Sequence, residues 1–72
     1  KANYRLIMKY ANFIGFTTVR QRGSHMILKN SGNYIVTLKR DAGNKTYSQY
    51  HLKNILQDFG SNINEYIQYL GI

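Results

Sequence analysis

The spacing of apolar side chains changes period twice within 72 residues. Residues 3–14 place Leu6, Ile7, Tyr10, Ala11 and Ile14 on one helical stripe, with Arg5, Lys9 and Asn12 off it. Gly15 then stands where a helix ends on a glycine. From residue 16 the period falls to two. Residues 16–21 are rich in β-branched and aromatic types and predict a strand. Residues 25–30 alternate, with Met26 and Leu28 on one face and His25, Ile27 and Lys29 on the other. Ser31-Gly32-Asn33 predicts a hairpin turn with Gly32 free to take a positive φ, and residues 34–39 predict a third strand with Tyr34, Val36 and Leu38 on one face.

After a polar loop at residues 40–45 the helical period returns. Thr46 and Gln49 fit a capping box, Leu52, Ile55, Leu56 and Phe59 form a stripe, and Gly60 closes it. Asn62 with Glu65 resembles a second cap, ahead of a short helix with Ile63, Tyr66, Ile67 and Leu70 on one face. The order is helix, three antiparallel strands, helix, short helix. Such an order has one economical solution, a two-layer α+β fold with helices on one face of the sheet and the other face open. Residues 1–72 are long enough for one domain, and no repeat, linker or proline marks a boundary.

With no cysteine and only two histidines and three acids, the chain has little from which to build a disulfide framework or a metal cage. No metal or other cofactor is expected, and stability must come from packing, to which ten aromatic residues contribute. No stretch of 18 apolar residues or signal-like start is evident, so a soluble cytoplasmic protein without membrane contact is expected, a monomer when free.

Ten Lys and Arg stand against three acids, a net charge of +7. Six of the ten, Arg20, Arg22, Lys29, Lys39, Arg40 and Lys45, fall in the strands and the loop after them, where the only acid is Asp41. Cations on an open sheet suit a phosphate backbone. A solvated surface that keeps the protein soluble is the plain alternative.

His25 opens the second strand, opposite in phase to Met26 and Leu28, and so shares the open face with the cations. A histidine exchanges protons near neutrality. Cleaving RNA requires this, because a 2′-OH must lose a proton and a 5′-oxygen must gain one while cations stabilise charge on phosphorus. The Ser24 hydroxyl and nearby amides add donors. Taken alone, one histidine on a strand is more often a surface residue. His51, off the apolar stripe of the second helix, reads as an exposed residue without a role, while Tyr47 and Tyr50 are candidates for stacking on a base.

Gly15-Phe16 followed by Val19-Arg20-Gln21-Arg22-Gly23-Ser24-His25, with Leu52-Lys53-Asn54-Ile55-Leu56 and Phe59-Gly60 behind it, closely resembles the HicA toxin family from about residue 4 to 70. The resemblance implies a fold like the double-stranded-RNA-binding domain, ribosome-independent cleavage of mRNA without a metal, a role in stress response, and neutralisation by a HicB-like antitoxin. The family's catalytic histidine falls on His25, its motif glycine on Gly23 and its serine on Ser24. Arg20 and Arg22 fall where RNA contacts are expected.

One departure narrows this. Family members often carry a Val-Pro-x-His segment at the end of the third strand, and here Val36-Thr37-Leu38-Lys39-Arg40-Asp41 has neither proline nor histidine. His25 is therefore expected to act without a second histidine close by, helped by Lys39 or Arg40. A non-catalytic module of the same fold that binds double-stranded RNA is the alternative. A third reading, an acidic protein docked on the basic sheet, is also the way an antitoxin would work.

Overall fold

The computed structural model describes residues 2–71. It has the expected order: α1 (Tyr4–Phe13), β1 (Thr17–Arg22), β2 (His25–Lys29), β3 (Ile35–Lys39), α2 (Gln49–Asp58) and α3 (Ile63–Leu70). The strands form one antiparallel sheet in the order β1-β2-β3. Among the described residues, no helix is long and apolar enough to cross a membrane.

Each helix starts on a side-chain cap. Asn3 accepts from the Leu6 amide at 2.9 Å, and Asn62 accepts from the Glu65 amide at 2.9 Å. At α2 the cap is Ser48, whose Oγ accepts from the His51 amide at 3.1 Å, and not Thr46. The helix starts late because the backbone before it is engaged elsewhere: the Tyr47 amide donates to the Ala2 carbonyl at 2.9 Å. The Tyr47 ring also packs against the core.

Ile7, Tyr10 and Ala11 from α1, Ile55 and Leu56 from α2 and Tyr66 from α3 are buried with Leu28, Val36 and Leu38 from the sheet. The alternation on β3 is strict, with Val36 and Leu38 buried and Ile35, Thr37 and Lys39 exposed. One face is covered and the other open. Tyr34 shares the covered side, edge-on to Phe16 with ring centroids 6.3 Å apart, but is 53% exposed. Phe16 belongs to the core rather than to a strand: its amide donates to the Ala11 carbonyl at 2.9 Å and its ring meets Phe59 at 5.0 Å. Ile67, placed on the α3 stripe by its spacing, is exposed.

In the β2–β3 hairpin Asn33, not Gly32, takes the positive φ of 65°. Asparagine tolerates that region better than other side-chain-bearing residues. The Asn30 Oδ1 holds the turn by accepting from the amides of Gly32 at 2.9 Å and Tyr34 at 3.0 Å.

Candidate nucleic-acid interface

The pairing of β1 with β2 contains a bulge between Thr18 and Arg20, which leaves Val19 without a cross-strand partner. The bulge decides which side of the sheet the arginines reach. Thr18 pairs with Leu28 and so lies on the covered side, and two steps of plain alternation would have put Arg20 there too. Instead Arg20 pairs with Ile27 and Arg22 with His25, both on the open face. His25 in turn pairs with Lys39. Arg22, His25 and Lys39 thus form one row across three strands.

The row sits at the tip of a tight hairpin. Only Gly23 and Ser24 separate Arg22 from His25, and Gly23 adopts φ +59°. A positive φ at the first of two turn positions is the type II′ pattern that glycine favours. Gln21 Nε2 donates to the Gly23 carbonyl at 3.0 Å, and the Arg40 amide donates to the Ser24 carbonyl at 2.6 Å. The second bond carries the ladder one step past β3 and fixes Arg40 beside the turn. Ser24 and His25 are both exposed.

The other cations divide into two groups. Arg40 and Lys45 line a groove between the end of β3 and α2, together with Lys39, Ser48 and His51. Asp41, the one acid nearby, is engaged with backbone: its carboxylate accepts from the amides of Gly43 at 3.0 Å and Lys45 at 3.2 Å. No acidic side chain occupies the first turn of α2. Lys29 lies apart. It is at the far end of β2, four residues and about 13 Å along the strand from His25, paired with Thr17 and Ile35.

The tyrosines also separate. Tyr50 is 76% exposed and free to stack. Tyr47 is half-buried, and its hydroxyl is buried without a hydrogen-bond partner among the described residues. Burial pushes its pKa up to about 12, with the Asp41 carboxylate adding to the shift. Its ring meets the His51 imidazole edge-on, with centroids 4.9 Å apart.

Sequence spacing therefore missed one neighbour. His51 lines a groove that His25 also lines, around the free edge of β3. The expectation of no second histidine nearby came from the end of the third strand alone. The docking of α2 along β3 supplies one from 26 positions further on. A capping signal read at Ser48 in place of Thr46 would have put His51 in the first turn of α2 but could not have revealed what it faces.

A family model described as "HicA toxin of bacterial toxin-antitoxin" matches residues 5–61. No curated protein and no solved structure matches.

Proposed function

The chain belongs to the HicA toxin family of bacterial toxin–antitoxin systems, and from that premise we propose that it is an mRNA interferase whose catalytic residue is His25. The observation that carries this reading is the cross-strand row in which His25 lies between Arg22 and Lys39 on the open face. A phosphodiester laid along the row meets a proton-exchanging group flanked by two cations. Attack of the 2′-oxygen on phosphorus then needs no metal: the 2′-oxygen is the nucleophile, His25 serves the proton transfer, and the cations hold the negative oxygens on phosphorus. Arg20, Arg40 and Lys45 extend the positive surface to either side, and the Ser24 hydroxyl is a further donor. Lys29, remote from the row, contributes to binding at a distance.

The open face also suits the inhibitor. An acidic, HicB-like antitoxin covering Arg22, His25 and Lys39 would oppose their charge and occlude the site together.

The test is cleavage of purified mRNA, with a chelator present, by the parent and a His25→Ala variant. General acid–base catalysis contributes about 10²–10⁴-fold, so a loss in that range is expected. Equal cleavage by the two proteins refutes the assignment. RNA that is bound and shifted in a gel but never cut identifies a non-catalytic double-stranded-RNA-binding module instead.

A further inference from the structure

We propose that His51 is the second proton-transfer residue of this cleavage, working with His25 from the opposite wall of the groove at the free edge of β3. The inference rests on the RNA-cleaving reading above and adds to it a residue from a different element.

The groove encloses about 370 Å³, and its two walls are distinct. His25, Thr37 and Lys39 come from the sheet, and His51, Asn54 and Asp58 come from α2. The adjoining groove that holds Arg40 and Lys45 shares Lys39 and His51 with it. His51 and Lys39 therefore stand where the two depressions meet. A strand of RNA that runs through both depressions would pass these two residues.

The chemistry asks for two groups. One takes the proton from the 2′-OH as the O2′–P bond forms. The other delivers a proton to the 5′-oxygen as the P–O5′ bond breaks, leaving a 2′,3′-cyclic phosphate and a free 5′-hydroxyl. Attacking and leaving oxygens lie on opposite sides of phosphorus, so one residue is poorly placed for both transfers within a single step. A histidine on each wall, with Lys39 lining the same groove, matches that demand. His51 is also held: its amide is tied to Ser48 at 3.1 Å, and the Tyr47 ring packs on its imidazole. Around the pair, the charged and titratable groups are Lys39, Arg40, Asp41 and Lys45 from the end of β3 and the loop, Tyr47 ahead of α2, and Asp58 on α2.

The experiment compares the parent, His25→Ala, His51→Ala and His51→Gln on one RNA across pH. His51 is an exposed helix residue, so both His51 variants are expected to melt within a few degrees of the parent. Their cleavage is expected to fall about 10²-fold or more, with one limb of the parent's pH–rate profile lost. A substrate with sulfur in place of the 5′-bridging oxygen needs no proton to release its leaving group. It is expected to restore cleavage in one of the two alanine variants and not in the other. Parental rates in both His51 variants, or restoration in neither alanine variant, overturns the proposal while leaving His25 in place. Failure of the parent itself to cut RNA overturns the reading on which it rests.

Discussion

His25 and Lys39 are cross-strand partners on β2 and β3, on the open face of the sheet. Neither position is required by the core, since both side chains are exposed. Their chemistry is therefore open to substitution without loss of the fold, and the site can be dissected one residue at a time.

Lys39→Ala is expected to weaken RNA binding and to lower the slope of log affinity against log salt by about 0.7–0.9, the contribution of one phosphate contact. Cleavage at saturating RNA should fall as well, because Lys39 is the cross-strand partner of His25, beside which the proposed mechanism sets the reacting phosphate. Lys29→Ala is expected to alter the salt slope at most, leaving saturated cleavage within about two-fold of the parent. Binding titrations at several salt concentrations and single-turnover rates separate the two. Equal effects from both lysines would mean that the row has no special standing.

Gly23→Ala tests the hairpin tip. A Cβ on Gly23 meets nothing within 4 Å, so any cost comes from the backbone at φ +59° and not from a clash. A side chain in that region costs about 1–2 kcal/mol. Urea unfolding should show a lower midpoint with an unchanged slope. Gly32→Ala, where the φ is not left-handed, should cost less. An unchanged midpoint for Gly23→Ala would refute the role given to that turn.

Tyr47 makes stability depend on pH at the alkaline end. Its pKa is raised to about 12 in the fold from an ordinary value near 10. The neutral form is the one the fold favours. The contribution is complete below pH 10, where folded and unfolded chains are both protonated. It is lost as pH rises from about 10 towards 12, because the unfolded chain ionises first. Tyr66 is shifted the same way by its burial and adds to the same loss. Tyr47→Phe should therefore flatten the decline between pH 10 and 12 without removing it. At pH 7 it should be neutral or stabilising, because it deletes a buried hydroxyl that has no hydrogen-bond partner among the described residues. Denaturation midpoints at pH 7 and pH 11 check both statements.

Ser61 links α1 to α3. The Tyr10 hydroxyl bonds its Oγ, which in turn donates to Glu65 Oε1 at 3.0 Å, so Glu65 reaches Ser61 rather than the backbone of its own cap. Ser61→Ala is expected to cost about 1 kcal/mol. Combined with Tyr10→Phe, the loss should fall short of the sum of the two single changes, since both variants break the same bond. An additive pair would show that the link carries no coupling.

Much of this was legible in the sequence because period and burial share one cause. The change from Ile7, Tyr10 and Ala11 to Met26 and Leu28 is a change from helical to strand geometry, and the same residues form the core. The open-face position of His25 followed from its phase against Leu28. The bulge did not follow, because an extra residue such as Val19 is visible only against its partner strand. Phe16 was misplaced because β-propensity in Phe-Thr-Thr-Val cannot separate a strand residue from one that folds back into the core. His51 was discounted because helical phase says which residues leave the apolar stripe, not what they face once the helix has docked. The late start of α2 was hidden by a pairing with Ala2, almost at the other end of the chain.

Arg22 and Lys39 stand on either side of His25, on a chain whose charge is +7. Alone in solution, the molecule works against its own charge, and such self-repulsion weakens a compact state. Any polyanion that settles on the sheet relieves it, and binding to the folded form alone adds stability by mass action. Captivity thus suits this fold better than freedom. On the reading proposed above, an acidic inhibitor bound to this face would preserve the protein as well as silence it, and the solitary form would have the least margin against unfolding.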